Sequence, residues 1–212
     1  MKKIIFYIGR LFAYIYPQII IDKWQATKVY FYSGYKSRKF KHIGSNTTIG
    51  THSVYYGEKF ISIGSNSSIG DYGRLTAYYF YEKTLQTFIP SIVIGDNCHI
   101  GPQSHITAIN KIEIGNNVLT GPRILITDNS HGQANISQLD VAPNYRPLSS
   151  NGPVIIEDNV WIGEGAMIMP NVHIGKSSII AANSVITKDV PAYSIVAGIP
   201  AKVINENVSW TG

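Results

Sequence analysis

Apolar and polar positions alternate along most of this chain with a period of six. An aliphatic residue followed by a small one appears as Ile43-Gly44, Ile49-Gly50, Ile63-Gly64 and Ile69-Gly70. It returns at 94, 100, 106, 114, 120 and 126, then runs unbroken through Ile156, Ile162, Ile168, Ile174, Ile180 and Ile186. Of those twelve slots from 94 to 186, eleven hold Ile, where the overall Ile content would place about two. Four residues beyond each slot stands a small or β-branched side chain: Cys98, Ser104, Val118, Ile124, Val160, Ala166, Val172, Ser178, Ser184, Val190. Six residues are too few for a helical hairpin and do not fit a 3.6 period. Gly and Asn at every corner would also break helices. The pattern predicts a short strand plus a corner, with three units forming one triangular coil. Coils then stack about 4.8 Å apart through parallel strand hydrogen bonds. Each Ile points inward, and the following glycine is expected at a tight turn with positive φ. Crossover chirality favours right-handed connections, so the period alone does not give the hand.

The interruptions are as informative as the repeat. One around 71–91 is rich in aromatics, with Tyr72, Tyr78, Tyr79, Phe80, Tyr81 and Phe88. The step from Ile94 to Ile114 carries two extra residues. The longest break, 132–152, directly follows His131, and the repeat resumes at Pro153-Val154-Ile155-Ile156. An irregular stretch of that length inside a compact domain points to function. The chain thus divides into an N-terminal extension over 1–41, a β-helix domain over 42–204 and a tail over 205–212.

The extension has its own period. Ile4, Ile8, Leu11 and Ile15 follow helical spacing with Arg10 on another face, and Pro17 ends or kinks that helix. Arg10, Pro17 and Gln18 interrupt residues 4–21 as a membrane span. Asp22-Lys23-Trp24 offers no signal-peptide cleavage site. Two readings stay open: a cap on the β-helix end, or a helix lying on a membrane surface through Tyr7, Tyr14, Tyr16 and Trp24, with the Lys36–Lys41 cluster facing anionic lipid.

Charge sharpens this division. Residues 1–41 hold nine Lys/Arg against Asp22 alone, whereas 42–212 hold nine basic and twelve acidic residues. The body therefore lacks the basic face that nucleic-acid binding needs. A single cysteine, Cys98, excludes an internal disulfide and fits a reducing compartment such as the cytoplasm; its place in the pattern makes it a small interior residue.

Few residues carry candidate chemistry. His131 ends Thr127-Asp128-Asn129-Ser130-His131, where coil meets loop, and an exposed histidine there accepts a proton near neutral pH. His42, His52 and His173 read as corner residues, and His99 and His105 fall on adjacent faces, so no set of metal ligands converges. Trp161 at the outward end of its repeat is either an interface residue or the wall of a ligand site. Lys188 and Lys202 are cations for phosphates or plain surface lysines.

Three segments resemble the hexapeptide-repeat acetyltransferases: NNVLTGPRILITDNSHG, GPVIIEDNVWIGEGAMIMPNVHIG and SIIAANSVITKDVPAYSIVAGIPAKVI. The resemblance spans about 42–204 and is nearest the maltose, galactoside, nodulation-factor and O-antigen or capsule O-acetyltransferases. It implies a left-handed β-helix, a homotrimer with active sites between subunits, and acetyl-CoA as co-substrate without a metal. His131 would then be the general base for a sugar hydroxyl, with Asp128 orienting its imidazole. Trp161, Gly163, Ala182, Thr187, Lys188 and Lys202 would hold the coenzyme, and Asn110 and Arg146 the acceptor. The longer loop 132–152 and the basic, apolar N-terminus depart from the small-sugar members. They imply a different acceptor, such as a surface polysaccharide or its lipid-linked precursor, and an enzyme resting on the inner membrane face. A free sugar or small molecule such as an antibiotic is the alternative acceptor. An N-acetyltransferase acting on an amino-sugar nucleotide and a non-catalytic scaffold are the remaining readings.

Overall fold

A computed structural model describes residues 1–15, 18–133 and 135–206. The predicted kink at Pro17, Tyr16 of the aromatic face and the end of the tail lie outside the described residues. From His42 onward the chain is a left-handed parallel β-helix of triangular section. The first face stacks strands from His42–Ile43 to His173–Ile174, the second from Thr48–Ile49 to Ile195–Gly198, and the third from Val54–Tyr56 to Val185–Ile186. Pairing is parallel and in register, Ile on Ile: Ile63↔Ile94, Ile94↔Ile114, Ile114↔Ile156, Ile156↔Ile174. Those side chains are fully buried, and with their equivalents on the other faces they make one continuous core. The positions four residues on, Cys98, Ser104, Val160, Ala166 and Ser178 among them, are buried as the pattern requires.

The corners differ from expectation in one respect. Positive φ falls not on the glycine after each Ile but three residues after it, at Asn46, Asn66, Asn97, Asn117, Asn159, Asn171 and Asn183, with φ between 55° and 62°. Asparagine tolerates this left-handed conformation better than other side chains. The glycine answers a different demand, close approach between coils. A Cβ on Gly163 would lie 2.5 Å from the Ala182 nitrogen, and one on Gly95 2.6 Å from the Gly115 oxygen.

Three excursions leave the coils. Residues 78–90 project the hairpin Phe80–Tyr81/Gln86–Thr87. The two extra residues between Ile94 and Ile114 form the corner Ile109–Asn110. The long break after His131 is more ordered than its sequence suggests. It holds a helical turn, Ile136–Leu139, a 3₁₀ turn, Pro143–Tyr145, and the strand Leu148–Ser149, which pairs antiparallel with Ser130–His131.

The N-terminus forms two helices, α1 (Lys2–Ile15) and α2 (Gln18–Ser37). The end of α2 caps the first coil: Ser33 is buried and its Oγ accepts the Ile49 N–H at 2.9 Å, while Phe40 packs edge-on against Tyr55. By contrast Ile4, Ile5, Tyr7, Ile8, Leu11 and Phe12 on α1 and Ile19, Ile20 and Trp24 on α2 are exposed. Among the described residues no single helix is long and apolar enough to cross a membrane.

Candidate active site

His131 owes its position to a corner whose hydrogen bonds are nearly all internal. The Asp128 carboxylate is fully buried and accepts the N–H groups of Ile109 and Asn110, at 2.9 and 2.8 Å, from the extra-length corner one coil below. Asn129 donates its amide to Asp128 and to the Thr107 carbonyl, and its own N–H goes to Thr127 Oγ. A polar group buried this deeply is stable because its lone pairs are filled. Asp128, expected to orient the imidazole, makes no hydrogen bond to the ring among the described residues. Its carboxylate sets the corner from which the chain leaves the coil.

Beyond the corner the chain runs into the strand Ser130–His131, where His131 pairs with Leu148. Ser130 and Ser149 both donate to the Gly132 carbonyl at 3.0 Å. Gly132 has φ 81°, and a Cβ there would meet the Gln138 side chain at 2.6 Å, so this turn requires glycine. The exposed imidazole lines a cavity of about 660 Å³ with Gln133, Leu139, Arg146 and Asn151. Arg146 spends Nε on the Val141 carbonyl and one Nη on the Leu139 carbonyl, so it braces the loop as well as lining the cavity.

The aromatic hairpin reaches the same place, which sequence reasoning did not foresee. The Tyr81 and His131 rings meet edge-on with centroids 5.7 Å apart, and Tyr81 Oη lies 3.5 Å from His131 Nδ1. Gln86 receives the Leu148 N–H and donates to the Leu148 carbonyl. Aromatic enrichment marked the insertion, but the sequence holds no sign that it folds onto a loop some sixty residues later, as the Gln86–Leu148 separation of 62 shows.

The remaining predicted residues are not gathered around His131 within one chain. Asn110, Thr187 and Lys188 are exposed on the edge between the third and first faces, the edge from which His131 departs. Trp161 projects from the second face and is 49% exposed, with Gly163 and Ala182 packed together at the following edge. Lys202 lies in the C-terminal strand Ala201–Asn205, which folds back antiparallel on that face. Among the other histidines, His42 and His173 stand on strands rather than corners, and His173 Nε2 meets Glu157 at 2.9 Å.

The bacterial transferase hexapeptide family (six repeats) matches residues 153–188, within the same six-residue ladder that builds the coils. Residues 153–188 are therefore similar to that hexapeptide-repeat family. Among relatives in sequence is WbbJ of Escherichia coli K12, provisionally named a lipopolysaccharide biosynthesis O-acetyl transferase, 33% identical over 119 residues. That match covers 54% of this chain and 60% of WbbJ. The galactoside O-acetyltransferase of the same organism is 35% identical over 123 residues, covering 53% of this chain and 55% of that protein. The chain thus matches little more than half the length of these relatives. Among solved structures, a mutant of AntD, an N-acyltransferase from Bacillus cereus, carries coenzyme A and dTDP-4-amino-4,6-dideoxyglucose. It is 22% identical with a TM-score of 0.66 over 83% of this chain and 89% of AntD, a likeness of fold.

Proposed function

We propose that this protein transfers an acetyl group from acetyl-CoA to a sugar hydroxyl, with His131 as general base. The observation that carries the reading is the exposed His131 imidazole at the wall of the cavity, on a strand paired antiparallel with Leu148–Ser149. A base so held takes the hydroxyl proton as the oxygen attacks the thioester carbonyl. The tetrahedral intermediate then collapses, expelling the coenzyme's thiolate, which takes the proton back from the imidazolium. Asp128 acts in this scheme as a positioning residue, while Asn110 and Arg146 contact the acceptor.

The coenzyme side comes from a second subunit. Leu119, Trp161 and Met167 stand exposed on the second and third faces, whereas the first face carries ion pairs such as Lys111–Glu113. A homotrimer closed on the apolar faces covers them and brings Trp161, Gly163, Ala182 and Lys202 of one chain beside His131, Thr187 and Lys188 of the next. Trp161 walls the pantetheine, and the lysines meet the phosphates as point charges.

The acceptor we favour is a surface polysaccharide or its lipid-linked precursor. Likeness to WbbJ supports it, as do the exposed apolar residues of α1 beside a nine-cation N-terminus. Such a helix suits peripheral contact with the anionic inner face of a cytoplasmic membrane. The likeness to the galactoside enzyme favours a free sugar as the second reading. Thiol release from acetyl-CoA, measured with free sugars, sugar nucleotides and lipid-linked oligosaccharide, separates the two. Turnover confined to lipid-linked or polymeric acceptors is expected. Turnover on free sugars overturns the polysaccharide reading, and an amide product overturns O-transfer.

A further inference from the structure

We infer that Tyr81 is a positioning residue that selects the tautomer of His131, keeping the proton on Nδ1 and leaving Nε2 as the basic nitrogen. This rests on the reading of His131 as general base and adds how that base is prepared. A phenol has one proton to give. Tyr81 Oη lies 2.6 Å from the backbone carbonyl of Asn144 and 3.2 Å from Asn144 Oδ1. The carbonyl accepts only, so the short contact takes the phenolic proton. The same oxygen therefore turns lone pairs towards His131 Nδ1 at 3.5 Å. Only an N–H at Nδ1 is attracted there; the opposite tautomer sets a nitrogen lone pair against an oxygen lone pair. At 3.5 Å the contact is at the outer limit for a hydrogen bond, and such contacts in unliganded sites commonly tighten in the working complex.

The rest of the hairpin makes this arrangement specific. Gln86, on the strand paired with Tyr81, holds both the N–H and the carbonyl of Leu148, the residue opposite His131. Tyr81 meets the 3₁₀ turn Pro143–Tyr145 through Asn144. The insertion from the second coil thus grips the loop after the fourth coil at two points, Asn144 and Leu148. No carboxylate among the described residues makes a hydrogen bond to the imidazole, which leaves Tyr81 as the group that faces Nδ1.

The test reads the tautomer directly. Nitrogen-15 NMR of ring-labelled protein, with His131→Ala to assign the signal, is recorded above the titration range for wild type and Tyr81→Phe. Wild type is expected in the Nδ1–H form, and Tyr81→Phe in a mixture shifted towards Nε2–H, with the phenyl ring keeping the packing. With acetyl-CoA and an acceptor that turns over, kcat is expected to fall about 10–100-fold in Tyr81→Phe, the range for lost outer partners of metal-bound histidines. KM for acetyl-CoA should stay unchanged, and the alkaline plateau of the pH profile should fall with kcat. A wild-type ring in the Nε2–H form, or a tautomer that does not respond to Tyr81→Phe, overturns the inference. Because the spectrum needs no turnover, its result is separate from failure of the acetyltransfer reading; if Tyr81→Phe fails to fold, the wild-type spectrum alone decides.

Discussion

The residues that shape this molecule most are those whose neighbours leave them no choice. Gly95 faces the Gly115 oxygen at 2.6 Å from where a Cβ would stand. Gly95→Ala is therefore expected to lower stability by about 1–3 kcal/mol, the usual cost of forcing extra volume into a packed site, read as a drop in the urea midpoint. Asp128 is constrained in the opposite sense, by what it satisfies. In Asp128→Ala the N–H groups of Ile109 and Asn110 lose their acceptor, each at about 1–3 kcal/mol. A lowered midpoint together with lost activity is the expected outcome; full stability would show that water replaces the carboxylate. Cys98 is buried, and that burial pushes its thiol above the ordinary value. A thiol reagent at mildly alkaline pH should label it only on unfolding, and rapid labelling of the native protein would contradict the packing.

At the scale of elements, the Ile ladder is the most legible part of the chain. Each Ile slot identified in the sequence from Ile43 to Ile186 faces the core, because a six-residue period leaves one inward position per strand. Ile168 is fully buried between Ile126 and Ile186, so Ile168→Asp sets an unpaired charge in that stack. Loss of soluble, cooperatively folding protein is expected. The glycines were legible as special but for the wrong reason, since closeness between coils appears only when the coils are stacked. His131 was legible because it ends the repeat. Its surroundings were not, because Asp128 is satisfied by a corner one coil away and Tyr81 and Gln86 arrive from a separate insertion. A period reports residues that repeat. It is silent about contacts between two departures from the repeat. In the N-terminal helices the end of α2 caps the first coil through Ser33, while α1 leaves its apolar side chains exposed.

At the scale of the whole molecule, the second-face Trp161 and the edge carrying His131 belong to different sides of one prism, so the site proposed above draws on a neighbouring copy. Trp161→Ala should raise KM for acetyl-CoA. At acetyl-CoA concentrations well below the raised KM, trimers assembled from a mixture of Trp161→Ala and His131→Ala chains should turn over faster than either parent, because some clefts then combine two intact halves. Absence of any recovery would argue for a site within one chain. For α1, Leu11→Asp should weaken sedimentation with anionic vesicles without altering turnover on a soluble acceptor; unchanged sedimentation would leave the helix no role at lipid.

The most direct test of acetyl transfer through His131 is the turnover number of His131→Ala against wild type, with acetyl-CoA and an acceptor that wild type uses. A fall of about 10²–10⁴-fold, the range for a lost general base, is predicted with the fold intact and the coenzyme still bound. Turnover equal to wild type would contradict the account.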